Sequence, residues 1–102
     1  VKSSFVFSSP SDLPISLRWV AMMSPVVHCD VSASTGVHSG KAMIKQLLAG
    51  AKTVQIASVL YKKGFQEIGS ILDELESWMD RHNYQNIEDF RGKLSSCYSM
   101  PE

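Results

Sequence analysis

The sequence predicts an α/β fold built on parallel strands, and three observations carry that prediction. Two short β-branched runs occur, "VVHCDVSAS" and "KTVQIAS". One segment, "GKAMIKQLLAG", separates them, and its Met43, Ile44, Leu47 and Leu48 share a face at helical spacing. A strand, a helix and a strand in so few residues make a βαβ unit, which implies parallel strands and a right-handed crossover. Third, a long amphipathic stretch follows the second run, as a helix packing back on the sheet would.

Residues 1–12 read as an irregular, Ser-rich lead-in with a short apolar knot at Phe5-Val6-Phe7. From 13 to 102 the order reads helix, strand, helix, strand, helices. Pro10 discourages helix before it. Ser11 or Asp12 caps a first helix, which Pro14 opens near its first turn and Pro25 ends. Residues 28–33 read as the first strand. Ser39 caps the second helix, and Gly50 sits where a left-handed C-cap belongs. After Gly64 the longest helix carries an apolar stripe of Phe65, Ile68, Leu72, Leu75 and Met79, with Ile71 and Trp78 beside it. Asp73, Glu74, Glu76 and Asp80 are expected to face solvent, and His82-Asn83 ends the helix. A last short element, "NIEDFRGKL", starts on Asn86 as N-cap.

Ten basic residues balance ten acidic ones, so charge offers no case for nucleic acid or an anionic membrane. No apolar run approaches the roughly 20 residues a membrane-spanning helix needs. The chain opens Val1-Lys2 with no Met and no signal-peptide pattern, which leads to the expectation of a segment of a longer cytoplasmic protein. Cys29 and Cys97 sit in no CxxC and have no His at ligand spacing. Two free thiols are expected, with no metal site.

Both strand-like runs stop on small or hydroxyl-bearing residues: Ser34-Thr35-Gly36 after the first, Ala57-Ser58 after the second. In parallel α/β folds ligands sit at the C-terminal ends of strands, where loops present free backbone N–H groups. Gly36 lets the backbone approach closely, and Ser58 offers a hydroxyl. The N–H groups of Thr35, Gly36, Ala57 and Ser58 could converge on one anion. Ordinary turn chemistry is the competing reading.

The segment "STGVHSGKAMIKQLLAGAKTVQIASVLYKKG", followed by "LDELESWMDRHNYQNIEDFRGKLS", resembles the C-terminal end of dihydroorotate dehydrogenases, closest to the soluble class 1 type. The resemblance covers roughly residues 17–95. It rests on Gly36-Val37-x-Ser39-Gly40, on Leu48-Ala49-Gly50-Ala51 with Val54-Gln55-Ile56, and above all on Ile87-Glu88-Asp89-Phe90-Arg91-Gly92-Lys93-Leu94. The lead-in "FSSPSDLPISLRWVAMMS" is less typical and looks like a divergent, dihydroorotate dehydrogenase-like branch. The resemblance implies a (β/α)8 barrel, of which this chain supplies the C-terminal βα units: a partial barrel of about two parallel strands plus helices. It implies FMN as cofactor, its phosphate held by Thr35 and Gly36 in one loop and Ala57 and Ser58 in the other. The family usually has Gly-Gly at the first pair and Gly-Thr at the second, so two glycines have gained side chains here.

A whole barrel needs about 250 residues. The family's base (Cys or Ser), its flavin-side lysine and its orotate-holding asparagines are upstream residues by this resemblance, so no catalytic residue is expected in this chain and Cys29 is not the base. The implied substrate is a small molecule, dihydroorotate or similar. The rival readings are a same-scaffold enzyme for another phosphorylated ligand, and a non-catalytic fragment or assembly module. Self-association is expected of a barrel cut open. His38 reads as a solvent-facing residue, His28 as strand packing, Lys41 and Lys45 as solvated surface, and Trp19, Trp78 and Tyr61 as packing side chains.

Overall fold

The structure, a computed structural model, describes residues 7–94. Phe5 and Val6 of the apolar knot, and Cys97, lie outside the described residues. The element order is a 3-10 turn (Pro10–Asp12), α1 (Leu13–Met23), β1 (Ser32–Ala33), α2 (Gly40–Ala49), β2 (Thr53–Val54), α3 (Ser58–Lys63), α4 (Gln66–Arg81) and a 3-10 turn (Ile87–Asp89). β1 and β2 pair in parallel, Ser32 beside Thr53 and Ala33 beside Val54. The βαβ unit expected from the sequence is therefore present.

Each helix boundary has a local cause. Pro14 lies in the first turn of α1, where its missing N–H has no partner to lose. Ser24 closes α1 with its N–H on Val20 O at 2.9 Å, just before Pro25. The Ser39 hydroxyl accepts the Ala42 N–H at 3.2 Å, capping α2 as expected. Gly50 ends α2 at φ 118°, the left-handed conformation a C-cap favours. Asn83 takes φ 60° just beyond α4, which ends at Arg81.

The first strand is shorter than expected. Only Ser32 and Ala33 pair, and His28 and Cys29 are exposed rather than packed in a strand. A β-branched run becomes a strand only where a neighbour takes its backbone groups. Here the bond from Lys52 N–H to Val31 O, at 2.7 Å, is the last of that ladder towards the chain start among the described residues.

Two clusters form the core. Val20, Ala33, Ala49 and Ala51 lie where α1 and α2 meet the strands, and their small side chains permit close approach. Ile44, Leu47, Leu75 and Phe90 form the second, with Trp78, Met79, Tyr84 and Ile87 packed around them. The predicted α4 stripe is thus half right. Ile71 and Leu75 are buried, whereas Phe65, Ile68 and Leu72 are exposed. Glu74 is a second correction. It is half-buried, and its carboxylate accepts the Gly40 N–H at 2.9 Å, tying α4 to the start of α2. Trp78 packs as expected, but Trp19 and Tyr61 are largely exposed, Tyr61 meeting Phe7 with ring centroids 5.3 Å apart.

Candidate phosphate site at the strand ends

Parallel pairing delivers both strand ends to the same edge of the sheet. Gln55 N–H continues the ladder to Ala33 O at 2.7 Å, so the loops after β1 and β2 leave side by side. Thr35, Gly36, Ala57 and Ser58 all line one cavity of about 170 Å3, closed on one side by Ser8. A water occupies about 30 Å3 of liquid, so the space has room for a group of several heavy atoms, and its serine, threonine, glutamine and backbone lining suits a polar one. The four residues picked out in the sequence are therefore neighbours around a single space.

The first loop is shaped by backbone. Thr35 and Gly36 are consecutive left-handed residues, at φ 76° and 83°. Gly36 cannot be replaced cheaply: a Cβ there would meet Leu13 N at 2.4 Å, so the start of α1 lies directly against it. Thr35 is a β-branched residue in a region such residues avoid, a strain of order 1–3 kcal/mol. Behind the loop, Ser16 Oγ donates to Ser34 O at 2.6 Å and accepts from Gln46 Nε2 at 3.0 Å. Gln46 is fully buried, so this chain of polar groups props the loop from the core side.

The second loop carries the hydroxyl. Ser58 Oγ accepts the Ser8 N–H at 2.9 Å. Among the described residues, the N–H groups of Thr35, Gly36, Ala57 and Ser58 donate to no protein acceptor. Such groups need water or a ligand. The Thr35 and Ala57 side chains are exposed, and the cavity persists with both in place. Free donors beside a polar space are what an anion site requires.

His38, expected at the surface, is buried at 8% exposure. Its Nε2 lies 3.2 Å from Ser8 Oγ. Burial, then the Lys62 ammonium, holds its pKa below the usual 6.5. Lys41 and Lys45 are exposed, as expected. Cys29 is exposed with a free thiol. No group of His, Cys, Asp and Glu among the described residues could hold a metal ion.

No protein-family model matches the chain. Dihydroorotate dehydrogenase A (fumarate) of Lactococcus lactis is 43% identical over 61 residues, which are 60% of this chain and 20% of that protein. The dihydroorotate dehydrogenase (fumarate) of Saccharomyces cerevisiae is 39% identical over 66 residues, 65% of this chain and 21% of that protein. The chain's relatives are dihydroorotate dehydrogenases. These are oxidoreductases, and the chain spans about one fifth of their length. A ligand-free dihydroorotate dehydrogenase from Eimeria tenella superposes with a TM-score of 0.78 at 23% identity, over 84% of this chain and 24% of that one. The same Eimeria tenella enzyme in complex with ferulenol gives the same score. The two strands and their helices are thus a partial barrel of dihydroorotate dehydrogenase type, the fold class expected from the sequence.

Of the residues around the cavity, sequence reasoning missed Ser8. It falls in a stretch read as an irregular lead-in, where no period or motif marks a serine 50 residues from its partner Ser58.

Proposed function

We propose that this chain is the phosphate-anchoring portion of an FMN-dependent, dihydroorotate dehydrogenase-type oxidoreductase. One observation carries the reading: four residues from two strand-end loops, whose backbone N–H groups have no protein acceptor among the described residues, line one cavity, and Ser58 among them brings a hydroxyl. Thr35 and Gly36 would hold the phosphate from one side, Ala57 and Ser58 from the other. Bound there, FMN would supply the hydride acceptor for oxidising dihydroorotate to orotate. The chain's own residues bind and orient the cofactor's phosphate, and the base and substrate-holding groups belong to other parts of the barrel. The family likeness supports a small-molecule substrate in the cytoplasm. No helix among the described residues is long and apolar enough to cross a membrane.

The test is titration of FMN into the natural full-length apoprotein, followed by quenching of flavin fluorescence. Wild type and Lys93→Ala bind alike, because Lys93 lies by Tyr84, away from the cavity. Ser58→Ala binds more weakly. A hydrogen bond to a charged acceptor is worth roughly 1.5–3 kcal/mol, or about tenfold or more in affinity. Equal dissociation constants for wild type and Ser58→Ala refute the assignment.

A further inference from the structure

Ser8 commits each of its polar groups to a different part of the fold. Its N–H donates to Ser58 Oγ at 2.9 Å. Its Oγ meets His38 Nε2 at 3.2 Å. Its carbonyl accepts from Lys62 Nζ at 3.2 Å. The partners stand 30 to 54 residues away in sequence: Ser58 lines the cavity, and His38 follows Gly36 by two residues. Three bonds on one residue outside any helix or strand are more than a passing loop requires.

Resting on the phosphate-site reading above, we propose that Ser8 and His38 form a positioning strap that presets the Ser58 hydroxyl for a phosphomonoester. A serine hydroxyl has one proton and two lone pairs. Ser58 Oγ uses one lone pair on the Ser8 N–H, so its proton must point elsewhere, and the space beside it is the cavity. Accepting a bond also polarises the O–H and makes it a better donor. The strap therefore fixes both where the Ser58 oxygen sits and which way its proton is free to go.

His38 holds the other end. The charged groups facing it are Asp12 from the turn before α1, Lys62 and Lys63 from α3, and Lys41 and Lys45 of α2, which line with His38 a second pocket distinct from the strand-end cavity. Burial and the Lys62 ammonium favour the neutral imidazole against the opposing pull of the Ser8 backbone and Asp12, and in the tautomer with Nε2 unprotonated that nitrogen accepts the Ser8 O–H. Ser8 borders the cavity but gives its N–H to Ser58 and its carbonyl to Lys62, so in this scheme neither it nor His38 donates to the phosphate. They are positioning residues, acting through Ser58.

The experiment measures affinity for FMN and for inorganic phosphate, in the natural full-length protein, for Ser8→Pro, Ser8→Ala, His38→Gln, Ser58→Ala and the Ser8→Pro/Ser58→Ala double variant. Ser8→Pro removes the N–H, and weakening of about tenfold is expected, as for Ser58→Ala. Ser8→Ala and His38→Gln leave that N–H but free the strap, and a loss of about threefold is expected. The double variant should be no weaker than either single one, because both remove the same hydrogen bond. Thermal melts identify any variant that fails to fold; if Ser8→Pro does, Ser8→Ala and His38→Gln decide. Normal affinity in the Ser8 and His38 variants overturns the strap while wild-type binding upholds the phosphate site. Losses that add in the double variant also overturn the strap. Binding of phosphate but not FMN, with the same dependence on Ser8, upholds the strap and removes the flavin reading. Binding of neither ligand by wild type overturns both.

Discussion

At the scale of single residues, glycines and one histidine separate what pattern reveals from what only packing reveals. Gly36 was legible as a close-approach glycine, but nothing in the sequence says that Leu13 is what approaches. Gly36→Ala adds a left-handed strain of about 1–2 kcal/mol to a backbone collision, so a stability loss of at least that size is expected in urea denaturation. Gly69 is the contrasting case. It lies exposed in α4, and no atom comes within 4 Å of the place an alanine methyl would take, so Gly69→Ala should raise stability by roughly 0.5–1 kcal/mol in the same assay. His38 reads as a surface residue in the sequence because its burial comes from Ser8 and α3, both remote along the chain. Its folded pKa lies below the usual 6.5, so as pH falls the unfolded chain takes up the proton first. That contribution is complete above pH 6.5 and is lost as pH falls through this value towards the lowered pKa. The melting temperature should drop over this interval in wild type, and less so in His38→Gln; identical profiles would show that His38 is not the titrating group.

At the scale of elements, periodicity located α4 but left open which of two overlapping apolar stripes is the inner one. The choice is made by partners: α2 and Phe90 draw in Leu75 and Trp78, leaving Leu72 outside. The "IEDFRGKL" segment stood out in the sequence without a generic reason, and the fold supplies one. Phe90 is fully buried against Trp78 and Tyr84, with ring centroids 4.9 and 5.2 Å away. Arg91 donates to Ala51 O and Lys52 O and pairs with Glu88, and Gly92 N–H reaches Leu47 O. The segment clasps the α2–β2 connection. Phe90→Ala should cost about 3–5 kcal/mol, measured by chemical denaturation. Glu74 shows the limit of charge reading, since a run of acids looks solvated whichever member turns inward. Glu74→Ala leaves the Gly40 N–H without its carboxylate, and a loss of roughly 1–3 kcal/mol is expected.

At the scale of the whole molecule, the parallel α/β class was legible because strand, helix and strand follow so closely, and the barrel because of family likeness. The flanks were not legible, since they depend on where neighbouring units are. Ile15, Trp19 and Met22 on α1, and Tyr61, Phe65 and Leu72 on or beside α3 and α4, are all at least half exposed. Among the described residues the two-stranded sheet also leaves each strand with one unpaired side. Burying a large apolar side chain stabilises by about 1.5–3 kcal/mol, so the 102-residue chain alone should self-associate. Sedimentation equilibrium should give a mass above 11.3 kDa at micromolar concentration; a monomer with a cooperative melt would contradict this.

The clasp made by Arg91 also has a place in time. It closes on Ala51, 40 residues earlier in the chain. A ribosome adding about 5–20 residues per second makes Arg91 roughly 2–8 s after Ala51. Over that interval nothing has been made that can take the Ala51 and Lys52 carbonyls as Arg91 does. The hydrophobic residues that Phe90 will cover wait for the same stretch of synthesis. A chain cut short between the second strand and this segment therefore has its strand ends written but lacks the lock that holds them.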